Sequence, residues 1–442
     1  WDWRFLSLII FSSFVDYFVG QKLGTVKDQT YRKGLLLISL IVNLGFLAYF
    51  KYFNFFIDSF AELLNQLGFQ SNRSSLNIIL PVGISFYTFQ TLSYTIDIYR
   101  KEIEPTKSVF AFFTFVAFFP QLVAGPIERA KRLLPQFEKP RKFNYKFASN
   151  GAKLILIGFF KKMVIADNAA RLVDVVYNDP SNYVGFPMLV ATIFFAFQIY
   201  CDFSGYSDIA VGSAKLMGFN LINNFNKPYF ATSINDFWRR WHISLSTWFR
   251  DYVYIPLGGN RKNRLKTYIN ILITFTISGL WHGANWTFVV WGAFHGIMLI
   301  INKLINDIKY NFKFISIECP YLLKVTITFI VTCFAWIFFR ANSLNDAIFI
   351  INNMFIDTED YFNLLILSTK FRGMGLIISD LFTVIIFIII LLIIDFFQLN
   401  NKLMKKFENS ILMKWSFYYF ILFSIIMWGI QNSDDNFIYF QF

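Results

Sequence analysis

The sequence predicts an all-α polytopic membrane protein, and three observations carry that prediction. Of its 442 residues, 56% are apolar and only 16% are charged, whereas a soluble domain carries roughly 25% charged residues. Helix-length runs without a charge recur along the chain: GLLLISLIVNLGFLAYF (34–50), VTITFIVTCFAWIFF (325–339), LFTVIIFIIILLII (381–394) and FYYFILFSIIMW (417–428). No polar block is large enough to form a soluble domain, and no repeat or low-complexity linker divides the chain. The expectation is one membrane-embedded domain over residues 1–442 with about eleven membrane helices. Several runs fall short of the roughly 20 residues that cross a bilayer, so flanking polar positions must share the span or some elements must be re-entrant.

The first helical pair is expected over 3–20 and 33–55, separated by the polar turn QKLGTVKDQTYRK. Next, LPVGISFYTFQTLSYTIDIY (80–99) is apolar but rich in Ser, Thr, Tyr and Gln; those groups need partners, so this helix should face protein or a wet cavity. Pro120 and Pro126 interrupt the run 109–128. Proline removes a helix hydrogen bond, which predicts a broken or re-entrant element whose freed carbonyls are bonded inside the protein. A helix over about 148–166 then leads to ADNAARLVDVVY, which reads as interfacial. The run MLVATIFFAFQIY (188–200) ends in CDFSGYSDIAVG, where Asp202, Ser204, Tyr206 and Asp208 alternate with other residues and suit helix caps, internal hydrogen bonds or the lining of a substrate path.

Charge and cysteine narrow the class. The formal net charge is +13. The segment 127–146 holds seven Lys or Arg against two Glu, and NRKNRLK (260–266) holds four with no acid. Both adjoin membrane segments, so the positive-inside rule places them on the cytoplasmic side. Nucleic-acid binding is disfavoured, because no binding motif accompanies the charge. Cys201, Cys319 and Cys333 lack metal-ligand spacing and read as small apolar residues. The chain opens at Trp1, and its first segment has neither the basic start nor the small-residue cleavage pattern of a signal peptide; an N-terminal piece such as one more helix is expected ahead of it.

The central stretch ATSINDFWRRWHISLSTWFRDYVYIPLGG (231–259) is the least ordinary part of the sequence. A helix from Ile234 to about Tyr252 would align Trp238, His242 and Leu245 on one face. Arg239, Arg240, Arg250, Asp236 and Asp251 make it too charged to face lipid. The arginines can pair with acids or meet a phosphate-bearing donor. Pro256, Gly258 and Gly259 end the element, and they lack the spacing of a nucleotide fingerprint.

The following helix runs through GLWHGANWTFVVWGAFHG, where the spacing puts His282, Asn285 and Trp286 on one surface. Gly279, Gly283, Gly292 and Gly296 permit close approach of another helix or a substrate. His295 lies thirteen residues beyond His282, about 220° away around an uninterrupted helix, and reads as a structural hydrogen-bonding group. For His282 two readings stand: a satisfied histidine tying helices together, or a general base that takes the proton from an attacking hydroxyl. His242 could orient it, position the donor or handle a second proton. No set of Cys, His and carboxylates completes a metal site.

The stretches CDFSGYSDIAVG, DFWRRWHISLSTWFRDYVYIPLGG and GLWHGANWTFVVWGAFHG resemble signature segments of the membrane-bound O-acyltransferases, and within them the bacterial alginate O-acetyltransferase-like branch. LPVGISFYTFQTLSYTIDIYR, FFPQLVAGPI and WIFFRANSLNDA extend the resemblance over nearly the whole chain. It implies a helical scaffold with re-entrant elements and a central tunnel in the bacterial cytoplasmic membrane. It also implies His282 as the catalytic residue and His242 as a second histidine near the transfer path. Asp202 and Asn235 lie in characteristic segments, and Trp238, Arg239, Arg240, Arg250, Asn285 and Trp286 are the further candidates for the donor path. The implied reaction moves acetyl from acetyl-CoA, with no bound cofactor, toward an envelope polysaccharide through an extracytoplasmic esterase-like partner of the SGNH type. The alternatives are the D-alanyl branch, which draws on a charged carrier protein for teichoic acid, a transporter or flippase without chemistry, and a scaffold for glycan export.

Overall fold

The computed structural model describes residues 3–70, 76–311, 319–430 and 437. Among these, seven helices are long and apolar enough to cross a membrane: Trp3–Thr25, Gln29–Gln66, Phe186–Leu216, Trp286–Ile308, Tyr321–Arg340, Ile378–Leu399 and Ile411–Trp428. The chain is a multi-pass membrane protein. The count is lower than the eleven expected because several apolar runs fold as short or interrupted helices. The chain divides into two compact units, one of residues 1–151 and 210–222, the other of 152–209 and 223–442.

In the first unit, α1 (Leu6–Thr25), α2 (Gln29–Leu47) and α4 (Ile84–Tyr99) pack together, with α3 (Phe53–Gln66) following α2. Polar side chains join the three. The buried Asp16 accepts from Ser39 Oγ at 2.5 Å and Asn43 Nδ2 at 2.8 Å, Thr91 Oγ1 donates to Asn43 Oδ1 at 3.1 Å, and Ser39 meets Thr95 at 3.0 Å. Between apolar helices such bonds substitute for the hydrophobic drive that lipid removes. They explain why α4 carries hydroxyls, and its residues from Ile84 to Thr95 are all buried, as the sequence predicts. Arg32 closes two helix ends at once: its guanidinium donates to Leu23 O, Val26 O, Ile98 O and Tyr99 O, satisfying C-terminal carbonyls that have no partner within their own helices.

The proline break is present. Helix α5 (Val109–Val116) stops before α6 (Phe119–Leu122), which carries Pro120 in its first turn. The carbonyl of Phe115 is met by Gln90 Nε2 at 2.6 Å and Gln121 Nε2 at 3.1 Å, so the freed acceptor is bonded inside the protein, as expected. Beyond it, Glu128 precedes α7 (Ala130–Glu138), is buried, and accepts the Ile222 N–H. Burial pushes its carboxyl up to about 7, against the opposing pull of that N–H and of Arg132. A carboxyl raised in the folded state binds its proton more tightly there than in the unfolded chain, so stability falls as pH rises from the unfolded value toward 7 and then levels off. Glu128→Gln keeps an acceptor for the N–H without the charge. Its unfolding free energy in detergent should overtake that of the wild type across this window, by up to about 3 kcal/mol at neutral pH; parallel stabilities from pH 4.5 to 8 would contradict this.

Helix α8 (Tyr145–Phe159) begins in the first unit and, in the second, passes through a wide turn, 160–166, into α9 (Asp167–Asn178). In the segment 166–177, read from sequence as interfacial, Leu172, Val173, Val176 and Tyr177 pack into the core. Helix α10 (Phe186–Leu216) is 31 residues long, begins in this unit and ends in the other. CDFSGYSDIAVG lies in its middle, so Asp202 and Asp208 do not cap a helix start, which corrects the sequence reading. After α11 (Ile234–Arg240) and α12 (Ile243–Phe249), α13 (Arg264–His282) and α14 (Trp286–Asn311) form a closely packed hairpin. Then come α15 (Tyr321–Arg340), α16 (Leu344–Asn353), α17 (Leu364–Gly373), α18 (Ile378–Leu399), α19 (Asn401–Asn409) and α20 (Ile411–Trp428). The core is aromatic, with Phe195, Trp241, Trp291 and Trp336 at its centre, and it includes Cys201 and Cys333 as the apolar fillers expected of them.

Candidate active site

The α13·α14 hairpin places His282. A Cβ at Gly279 would run into Phe288 O and stand 3.0 Å from Gly292 Cα, while one at Gly292 would run into Phe275 O. The two helices touch backbone to backbone there, a contact only glycine permits. His282 is the last residue of α13; Gly283 is extended, and α14 starts at Trp286. The sequence expected one helix carrying His282, Asn285 and Trp286 on a common surface, and the break separates them. Asn285 instead accepts the Thr287 N–H at 3.0 Å and donates to Asn342 O at 3.0 Å, and Trp286 is half exposed. Asn285 is a helix-start residue.

A second break places His242. The predicted helix 234–252 ends at Arg240, and His242 takes a left-handed backbone, φ +41°, before α12 begins. Such a conformation costs a side-chain-bearing residue roughly 1 kcal/mol or more, and persists only where the surroundings impose it. Its effect is to turn the imidazole inward. The ring packs edge to face on Phe203 at 4.6 Å and faces Trp281 at 6.2 Å and His282 at 6.3 Å between centroids. Both histidines are buried, His242 wholly. Two residues forty positions apart thus present imidazoles to one spot.

Aromatic rings fix the pair on the other side. His282 packs on Trp291 at 5.1 Å and Phe339 at 5.3 Å, and Trp291 stacks on Trp336 at 5.8 Å. His295 belongs to the same cluster: Trp238 Nε1 donates to its Nδ1 at 3.3 Å, and its ring meets Trp291 at 5.0 Å. The structural role expected for it holds. The direction does not, because the break at Gly283 cancels the rotation computed for an uninterrupted helix.

Beside this cluster lies a cavity of about 620 Å³ bounded by α11, α12, the turn 250–254, α13 and α14. Asn235, Trp238, Arg239 and Arg250 from the predicted donor path line it, together with Ser278, one turn before His282, and Lys303. Its wall includes Ile243, next to His242, though neither His242 nor His282 lines it. Arg239 and Lys303, with Arg250 paired to Asp251 at 2.7 Å, give its lining a cationic character suited to an anionic ligand. Arg240 is not part of it; its guanidinium pairs with Asp236 at 2.9 Å.

A family model for the membrane-bound O-acyltransferases matches residues 100–345. That stretch is more than half of the chain and holds both histidines, the cavity and Asp202. The chain belongs to this family. It is 42% identical over 348 residues to the probable alginate O-acetylase AlgI of Pseudomonas aeruginosa, covering 78% of this chain and 65% of that protein. It is 37% identical over 380 residues to the peptidoglycan O-acetyltransferase of Helicobacter pylori, covering 80% and 71%. A teichoic acid D-alanyltransferase of Streptococcus thermophilus is 32% identical over 243 residues, covering 52% and 58%. The chain thus spans just under two-thirds of the length of the alginate O-acetylase it matches.

Within this member of the family, Asp202 proves to be part of an ionic clamp that sequence reasoning missed. Helices α8 and α10 cross where a Cβ on Gly158 would lie 2.6 Å from Gly205 O and one on Gly205 would lie 2.8 Å from Gly158 O. On either side of the crossing, Lys162 Nζ reaches Asp202 at 2.7 Å and Asp167 at 2.8 Å, and Lys161 Nζ reaches Asp208 at 2.8 Å. Asp202 therefore ties the turn between α8 and α9 to α10 and does not line the cavity. Buried charges inside a membrane protein persist when paired. The signal was available: Asp202, Gly205 and Asp208 stand three apart, and Lys161 and Lys162 interrupt an otherwise apolar run.

Proposed function

We propose that this protein is an O-acetyltransferase of the bacterial cytoplasmic membrane that moves acetyl from cytosolic acetyl-CoA to a hydroxyl on the far side. The observation that carries the reading is the meeting of His242 and His282, buried side by side, within the segment that defines the family. A neutral imidazole is a base near its ordinary pKa of about 6.5 and can take a hydroxyl proton as the oxygen attacks a thioester. In the proposed step the acceptor O–C bond forms, the C–S bond of the thioester breaks, and His282 carries the proton from the hydroxyl to the departing thiolate. His242, held by its backbone turn, orients or shares that proton. The cationic lining of the cavity, Arg239 and Lys303 with the paired Arg250, suits the phosphates of the donor.

The names of the relatives at 42% and 37% identity point to an exported or envelope polysaccharide as the final acceptor. An extracytoplasmic esterase-like partner that accepts acetyl on its own hydroxyl and passes it on fits the same scheme. The D-alanyl alternative rests on a relative of lower identity and shorter coverage. Donor choice separates them. Purified protein in detergent, given labelled acetyl-CoA or a carrier protein charged with labelled D-alanine together with soluble polysaccharide acceptors and the partner, should pass label from acetyl-CoA alone. Transfer from the carrier protein alone would move the assignment to the D-alanyl reaction.

A further inference from the structure

The turn that carries His242 raises a question the paired histidines do not answer: what holds it. His242 is the residue at the N-terminal cap of α12, yet its side chain makes no capping hydrogen bond. Usually a Ser, Thr, Asp or Asn at that position turns its oxygen back onto the first free N–H groups of the helix. An imidazole aimed at Phe203 and His282 is not available for that task. The task falls to Asn224, eighteen residues earlier in the chain and 1% exposed. Its backbone carbonyl accepts the Ile243 N–H at 2.9 Å, and its Oδ1 accepts the Ser244 N–H at 3.2 Å. Its Nδ2 reaches Ser207 Oγ at 3.4 Å on α10, the helix that also presents Phe203 to the His242 ring. Two residues on, the Asn226 N–H bonds to Arg240 O at 2.9 Å and closes the end of α11. Segment 224–226 thus splints both sides of the break.

We infer that Asn224 is a positioning residue for His242: by capping α12 from outside, it lets a residue in a costly left-handed conformation direct its imidazole inward. The inference rests on the reading of His242 as part of the reacting pair. Without the Asn224 side chain, the Ser244 N–H loses its acceptor, and the turn can relax toward a continuous helix from α11 into α12, the conformation the local sequence favours. That would swing the imidazole away from His282. Asn224→Asp retains the acceptor oxygen, and at this buried position, where the neutral acid is favoured, its O–H can replace the Nδ2 donor toward Ser207.

The test uses the 442-residue chain with 15N-labelled imidazoles. The chain has three histidines, so each side-chain signal can be assigned by substituting His242, His282 and His295 in turn. Asn224→Ala should move the His242 signals and leave those of His295 in place. It should also lower kcat by about tenfold to a hundredfold with KM held within about twofold, the signature of a misplaced group at the reacting centre. Asn224→Asp should restore most of kcat. An unmoved His242 signal in Asn224→Ala, or equal losses in both variants that follow the thermal midpoint, would overturn the inference. If His242→Ala keeps full transfer while Asn224→Ala still moves the His242 signal, the catalytic reading of His242 fails and the positioning role stands.

Discussion

Replacing His282 with Ala should lower kcat for acyl transfer by about a hundredfold to ten-thousandfold, the range that a positioned general base supplies, with KM little changed. The asymmetry follows from the geometry. Neither histidine lines the cavity beside the pair, whereas Arg239, Arg250 and Ser278 do; ground-state binding of a donor there would survive loss of the imidazole while proton removal would not. Substitution also empties space against Trp291 and Phe339, so the thermal midpoint must be followed alongside. His282→Gln, which fills more of that space than Ala, should be as inactive as His282→Ala. A variant whose KM rises while kcat is unchanged would identify His282 as a binding group.

Gly292→Leu should prevent the second unit from folding. The side chain would enter space filled by the Phe275 carbonyl and Gly279, and backbone cannot step aside as a flexible side chain can. Overpacking a tight core costs about 1–3 kcal/mol and more where nothing yields, a large share of the 5–15 kcal/mol by which proteins are stable. The hairpin also carries His282 at its end, so function should fail with the fold. Gly34→Leu is the matched control. A Cβ at Gly34 meets nothing within 4 Å, so this variant should assemble as the wild type does. Equal yields and midpoints for the two would show that the close crossing of α13 and α14 does not govern assembly.

What the sequence made legible, and what it hid, divides along physical lines. The polar helix 80–99 and the break at Pro120 could be read directly, because buried hydroxyls need partners and proline cannot donate. The break at His242 could not. WRRWHISLSTW contains neither Gly nor Pro and favours a continuous helix, and the interruption is held by hydrogen bonds that the Ile243 and Ser244 N–H groups donate to Asn224. The break after His282 was visible in retrospect, since Gly283 follows the helix end and Asn285 opens the next helix, a pairing of stop and start signals. Asp202 was misread for a related reason. A carboxylate in a helix interior looks like a cap or a path residue until its partner is known, and Lys162 lies forty residues away in the turn between α8 and α9.

The central claim is that acetyl crosses the membrane by way of the His242 and His282 pair, and a sided assay in proteoliposomes tests it most directly. Oriented protein receives labelled acetyl-CoA on the cytoplasmic side only, with the hydroxyl acceptor and its partner enclosed on the other, and label on the acceptor is counted for the wild type and His282→Ala. The account predicts label on the far acceptor with the wild type, none above background with a folded His282→Ala, and no acetyl-CoA in the far compartment. Equal labelling with and without His282, or label only on acceptors that share the donor's side, would contradict it.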